Sequence, residues 1–467
     1  MISEKDLKRR DKILNGNLLS TIIGICAPIF LYNLFNSFYA IIDAVVVAKI
    51  NPTSVSAVAS LSQIQHLLSS LGAGLAAGGG IIVARHFGAG NMERARYNSN
   101  QTIALSNIVI AVLLCVCIPC AMPIMKLSGV PDELITIGTS YFIVQIITLA
   151  FMFYNSVFMA MQKAKGNTQI MFWLNIFVMI IKLSLSIVFV WVMELLDIVW
   201  VAVATLIGQM VMFAILLSMM LKKDNVFAIK LEEFKLEKRG IKEILAMSFP
   251  IFLGKFIFSF GKVSVNAMCK AYGPLVVGAL GVSNNINGMV TTPINSFEEG
   301  TSTIISQNIG ANNLRRAIKT FRYSFVLATG LGILGYILVR FVCQDQIINL
   351  YNQNSSAENA EMFLAMIKSI NRYDSLSILA LAVNSAVLGV LYGFGQTKLT
   401  MVLNISRVFV FRIPVLWYLQ TFHKEIGAEA AGISMGISNI CITIASLSCL
   451  AYFLYRLKKK GYQNMNI

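Results

Sequence analysis

Apolar stretches of 20 or more residues recur along almost the whole chain, separated by short polar runs. A helix rises 1.5 Å per residue, so about 20 apolar residues cross a hydrocarbon core of roughly 30 Å. By that measure the first half predicts helices over Leu18 to Ala48, Val55 to Phe87, Tyr97 to Met122, Leu134 to Met161, Ile170 to Met193 and Asp197 to Leu221. The second half predicts Ile241 to Tyr272, Leu275 to Ile309, Ala317 to Phe341, Glu361 to Tyr392, Leu399 to Phe422 and Ala428 to Arg456. The expected fold is therefore an all-α integral membrane protein of twelve transmembrane helices.

The halves echo each other. Pro28 to Leu31 and Pro250 to Leu253 both read PIFL, and the same shift of about 222 positions pairs Ser37-Phe38 with Ser259-Phe260, Gly88-Ala89 with Gly310-Ala311, and Arg94-Ala95 with Arg316-Ala317. At a shift of about 229, Leu174-Asn175-Ile176 meets Leu403-Asn404-Ile405, and Gly166 and Thr168 meet Gly395 and Thr397. An even number of crossings per copy gives both copies one orientation, so two six-helix bundles related by a pseudo-two-fold axis along the membrane normal are expected. The domain reading is an N-terminal lobe over 1–221, a linker over 222–242 and a C-terminal lobe over 243–467. The linker holds KLEEFKLEKRG, readable as a plain connector or as a short amphipathic surface helix.

Composition agrees with a bilayer as solvent: 57% of residues are hydrophobic and 13% charged, too little polar surface to cover a water-soluble globule. The net charge of +16 is concentrated in the termini and the even-numbered loops, which puts both termini in the cytoplasm by the positive-inside rule and argues against nucleic acid as partner. No cleavable signal is read at the N-terminus. The eight cysteines and three histidines are scattered without metal-ligand spacing, so no cofactor, metal centre or enzyme activity is expected. Without a GxxxxGK[ST] loop, transport would run on an ion gradient rather than on ATP.

Charges inside the predicted spans carry the functional reading, because each costs at least a few kcal/mol unless it is paired or faces water. Tyr32, Asn36, Tyr39 and Asp43 share one face of the first helix. A carboxylate at the end of such a stripe can take a proton or small cation; equally, it can cap the helix or pair with a nearby lysine. Lys255, Ser259, Lys262 and Asn266 form a basic stripe on the seventh helix, and Asn284, Thr291, Asn295 and Glu298 a polar one on the eighth, with Glu299 beside it. Pairing of Lys255 or Lys262 with Glu298 or Glu299 would relieve the cost of burial. Asn371, Asp374 and Ser377 share a face of the tenth helix, the fifth carries Lys182, and the eleventh carries Arg407 and Arg412, of which Arg412 can also be read as reaching a lipid head-group.

ARHFGAGNMERAR at Ala84 to Arg96, after a Gly-rich second helix and a first helix of the form P…Y…D, resembles the multidrug and toxic compound extrusion (MATE) transporters. SQNIGANNLRRA at Ser306 to Ala317 is similar to that family's second repeat. The resemblance covers essentially the whole chain. It implies a V-shaped pair of bundles that exports organic, often cationic, compounds in exchange for H⁺ or Na⁺ by alternating access. It puts the coupling-cation site on Asp43, Tyr39, Asn175 and Thr205, to which Asn36 is added from its place on the first-helix stripe. The acidic residue the family commonly has four positions after the fifth-helix Asn is Met179 here, which weakens the case for Na⁺, a hard cation that wants several oxygen ligands. Lys255 and Lys262 stand where some members carry an acid.

The charge network read for substrate is Lys255, Lys262, Glu298, Glu299, Asp374 and Arg407. The leading expectation is a monomeric multidrug antiporter of a bacterial or archaeal inner membrane, with a small-molecule substrate. The alternative, motivated by Lys182, Lys255, Lys262, Arg407 and Arg412, is a flippase of a lipid-linked anionic precursor.

Overall fold

The computed structural model describes residues 3–50, 52–127, 132–195, 197–234, 237–342, 344, 346 and 357–459. Eleven of its helices are long and apolar enough to cross a membrane. In chain order the helices are α1 (Glu4–Asn15), α2 (Leu18–Ile50), α3 (Pro52–Gly88), α4 (Met92–Cys117), α5 (Ala121–Leu127), α6 (Asp132–Ala164), α7 (Thr168–Ile187) and α8 (Ile198–Met220). They continue as α9 (Lys238–Cys269), α10 (Pro274–Ile294), α11 (Ser296–Gly310), α12 (Leu314–Ile337), α13 (Ala357–Asp374), α14 (Leu376–Gly393), α15 (Thr397–Ser406), α16 (Ile413–Phe422) and α17 (Glu429–Lys459). A π-helical turn, Arg407–Arg412, joins α15 to α16.

Two of the predicted spans arrive broken. The eighth divides at Asn295 into α10 and α11, two residues after Pro293, where the Ile294 carbonyl and the Glu298 N–H no longer meet directly. Ser385 of α14 mends the gap: its hydroxyl donates to the Ile294 carbonyl (3.1 Å) and accepts from the Glu298 N–H (3.1 Å). Irregular backbone at membrane depth needs partners of this kind. The tenth span divides at Ser375 into α13 and α14.

Packing separates the chain into two compact units, one of Met1–Phe256 with Ser306–Asn313, the other of Ile257–Ile305 with Leu314–Ile467. In the first unit, α3 packs on α6 and on the first half of α9. Gly74 and Gly78 let α9 approach so closely that a Cβ on either would strike the backbone at Phe252 and Ser248. The Gly-rich run thus serves close packing, and α3 passes through it unbroken. The two echoing Gly-Ala motifs also meet inside this unit, Gly88 against the backbone of Gln307 and Gly310 against that of Arg85. The repeated turns hold the same strained backbone, with φ of +80° at Gly166 and +75° at Gly395, a region open to glycine. The second unit has its own core around Val265, Leu280, Ile286, Ile367, Ile378 and Leu416.

One end of the first unit is closed by α1. Ile13 and Leu14 are buried, and the Arg10 guanidinium donates to the last carbonyls of α3, Phe87 and Gly88, both at 2.8 Å. Such a cation favours the negative end of a helix dipole. Asp6, 3% exposed, pairs with Arg9 at 2.8 Å and with Lys165 at 3.2 Å. Burial pushes the Lys165 ammonium below the usual lysine range, against the opposing pull of Asp6. Among the described residues the expected amphipathic helix over 230–240 is absent from 230–234, and helix begins only at Lys238, the start of α9. The linker makes a single 3₁₀ turn, Leu231–Phe234, because Glu233 is tied to α4 by Arg96 at 3.0 Å and Asn100 at 2.6 Å, and its carbonyl by Gln101 at 2.6 Å.

Candidate functional site

In the first unit, one turn of α2 lies between Tyr39 and Asp43, so both project from one face. The Tyr39 hydroxyl donates to Asp43 Oδ1 at 2.9 Å. Lys182 comes in from α7, its Nζ 3.3 Å from Asp43 Oδ2 and 4.8 Å from the centre of the Tyr39 ring. Its stem passes Gly208 of α8, where a side chain would be in contact with the Lys182 Cβ. The three groups form a compact unit: a carboxylate held by a phenol and an ammonium, the ammonium also resting on the phenol's ring. Tyr39 is buried, and the Asp43 and Lys182 side chains are 29% and 18% exposed, so the pair is not fully enclosed by protein.

The other residues expected around Asp43 are differently engaged. Asn175 donates to the Met171 carbonyl one turn back in its own helix at 2.7 Å, Thr205 to that of Val201 at 3.0 Å, and Asn36 is exposed. The structure therefore brings together Tyr39, Asp43 and Lys182, and of the two readings left open for Asp43 it contains the pairing with lysine. Tyr141 of α6 is buried, and its hydroxyl accepts from Gln145 at 3.1 Å.

The second unit contains a separate buried polar network. Asp374, at the end of α13 and 3% exposed, accepts from Asn287 at 2.6 Å, Ser283 at 3.3 Å and Ser377 at 3.1 Å. Asn439 of α17 donates to the Ser377 hydroxyl at 2.7 Å and offers its own oxygen to Arg407 at 2.7 Å and Arg412 at 3.1 Å. Arg412 also donates to Ser438 at 3.1 Å and is 1% exposed, so it is committed to the interior and does not reach a head-group. Asn371, Asp374 and Ser377 lie together as their spacing predicts. On α10 the buried participants are Ser283 and Asn287, while Asn284 and Asn295 of the predicted stripe are exposed.

Glu298 and Glu299 are half-buried near the mended break, outside the hydrogen-bond set of Asp374. Lys262 forms no ion pair among the described residues, so the expected pairing with either glutamate is absent there; its Nζ lies 5.0 Å from the centre of the Phe258 ring. Lys255 falls in the first unit, half-buried and likewise without an ion pair among the described residues.

The model of the MatE family matches this chain twice, over residues 28–188 and 250–418, beginning each time at the proline of PIFL. The chain is 22% identical over 442 residues to the probable multidrug resistance protein YoeA of Bacillus subtilis, covering 93% of each. It is 19% identical over 395 residues to the multidrug export protein MepA of Staphylococcus saprophyticus, covering 84% of this chain and 85% of that protein. Among solved structures, a MATE family multidrug resistance transporter of the MOP superfamily in an outward-facing conformation superimposes with a TM-score of 0.90 at 18% identity, over 98% of this chain and 99% of the other. A MOP superfamily transporter from Pyrococcus furiosus gives 0.91 at 18% identity over the same shares.

Proposed function

This chain belongs to the MatE family of multidrug efflux transporters, and from that premise we propose that it is an H⁺-coupled exporter of small organic compounds, working by alternating access, with Asp43 as the coupling residue. The observation that carries the proposal is the Lys182 ammonium 3.3 Å from Asp43 within the membrane-spanning part of the first unit. Lys182 stands in for a bound metal cation: it supplies the positive charge Na⁺ would bring, and Met179 leaves no second carboxylate to attract one. A proton reaching Asp43 cancels its charge and frees Lys182, and loss of that proton recaptures the ammonium. The two arrangements give the transporter two states whose balance an H⁺ gradient can shift. Tyr39 keeps the carboxylate in place in both. The plasma membrane is the expected location.

The test is efflux from proteoliposomes under an imposed pH or Na⁺ gradient, comparing the native chain with Asp43→Asn. Organic cations, the cargo implied by the family, are the first compounds to assay. Movement driven by the pH gradient and lost in the variant supports the proposal; a variant that transports at the native rate sinks it, and drive by Na⁺ alone moves the coupling to that ion. A second reading, translocation of a lipid-linked anion, draws on the basic residues of the second unit. Dependence of cell-envelope assembly on the gene would favour it.

A further inference from the structure

Three cations, Lys262, Arg407 and Arg412, lie close enough in the second unit to act on one another. Arg412 is satisfied by Ser438 and Asn439. Asp374, the buried acid of this region, spends its oxygens on the neutral donors Asn287, Ser283 and Ser377, and touches the arginines only through the Ser377–Asn439 relay. Arg407 commits its Nε to Asn439 at 2.7 Å. Its two terminal nitrogens have no protein acceptor among the described residues. Lys262 is exposed.

Both Lys262 and Arg407 rest on the same aromatic ring, the Lys262 Nζ 5.0 Å and the Arg407 Cζ 4.8 Å from the centre of Phe258. The ring's quadrupole eases this crowding but carries no net charge. Asp374 and Glu298 act on Arg407 only at longer range. Two like charges held together at membrane depth call for a negative partner. An arginine fork and an ammonium are the groups that bind oxyanions, one by paired hydrogen bonds and the other as a point charge. Phe409, 38% exposed and packed beside Gly261, adds a second apolar wall to Phe258.

We propose that Lys262 and Arg407, both beside Phe258, form a binding site for the phosphate or carboxylate group of an amphipathic organic anion. The acid bridges the Lys262 ammonium and the terminal nitrogens of Arg407, and the apolar body lies on Phe258 and Phe409. As a statement of the exporter's substrate class this rests on the transport reading above; as a binding site it stands independently.

The test titrates the purified full-length chain in a non-ionic detergent with dodecyl phosphate, with dodecyltrimethylammonium and with phenyl phosphate. Dodecyl phosphate should bind, more weakly as salt is raised, and at least tenfold more weakly to Lys262→Gln and to Arg407→Gln. Dodecyltrimethylammonium should neither bind comparably nor compete. If phenyl phosphate binds with the same dependence on Lys262, the site takes soluble acids; binding confined to dodecyl phosphate assigns a lipid-borne group. Equal affinity for the two dodecyl compounds, or unchanged affinity in folded Lys262→Gln, overturns the proposal. Asp43→Asn should bind dodecyl phosphate as the native chain does. A native chain that binds dodecyl phosphate but shows no gradient-driven efflux fails the transport reading alone, and one that transports under a gradient but does not bind dodecyl phosphate fails the anion site alone.

Discussion

Lys182 and Asp43 are separated by 139 positions in sequence and by 3.3 Å in space. The pair turns a lone intramembrane carboxylate into one of two partners, and each can be removed separately. Lys182→Met leaves Asp43 charged without its counter-ion and should cost about 1–3 kcal/mol, the lower end reflecting partial access to water. Asp43→Asn with Lys182→Met should recover most of that loss in a thermal melt while remaining inactive in pH-driven efflux. Additive losses in the double variant would show that the two residues do not interact.

Asn439 is the hydrogen-bond partner shared by Arg407, Arg412 and Ser377. Asn439→Ala removes one acceptor from each of two guanidinium groups, one of them fully buried. Roughly 2–4 kcal/mol of stability should be lost, read as a lowered unfolding temperature in detergent. Ser377→Ala, which cuts the relay to Asp374 and leaves the arginines bonded, should cost about 1 kcal/mol.

Asp6 is the acid that compensates Lys165. Asp6→Ala leaves a buried ammonium with Asn225 as its remaining hydrogen-bond partner, and should destabilise the first unit by about 3 kcal/mol. Asp6→Leu together with Lys165→Met should restore stability. The sign of the pH effect follows from Lys165 lying below the usual lysine range: the folded form binds the proton less tightly than the unfolded form does. This contribution is therefore least favourable at neutral pH and improves as pH rises toward the ordinary lysine value. A pH series of melts should show the alkaline gain in the native chain and its absence in Lys165→Met.

Gly310→Ala would drive a methyl group into the backbone at Arg85, and Gly88→Ala into that at Gln307. Backbone cannot swing aside as a side chain can, so each should cost about 2–4 kcal/mol and lower the yield of folded protein. Gly281→Ala, where the added methyl meets open space, should be tolerated and serves as the control.

Much of the architecture was legible because bilayer thickness forces long apolar runs and a duplicated sequence repeats its turns. PIFL, the Gly-Ala motifs and the Gly166 and Gly395 turns all carried over into structure. The break at Asn295 was signalled by Pro293 but was obscured by the apolar run that continues through it. On α10 the helical period was right and the phase was off by one position, so Asn284 was chosen over Ser283 and Asn287. The pairing of Lys182 with Asp43 was unreadable for another reason: periodicity says which residues share a helix face and nothing about which distant helix meets it. Met179 was the visible clue, since a missing acid left room for the cation one turn further along.

The π-helical turn at Arg407–Arg412 has a consequence for how this chain can vary. Residues five apart in an ordinary α-helix point about 140° away from each other, yet Arg407 and Arg412 both reach Asn439 because the wider turn, with its i→i+5 bonding, swings them toward one side. The alignment is set by residue count. Deleting one position between Val408 and Phe411 would leave the arginines four apart, about 40° from each other in an ordinary α-helix, and so keep both on the side of Asn439. The π turn thus accommodates one residue more than an α-helical turn while both arginines stay on Asn439, so relatives of this chain could differ here by a single codon and keep the basic interior.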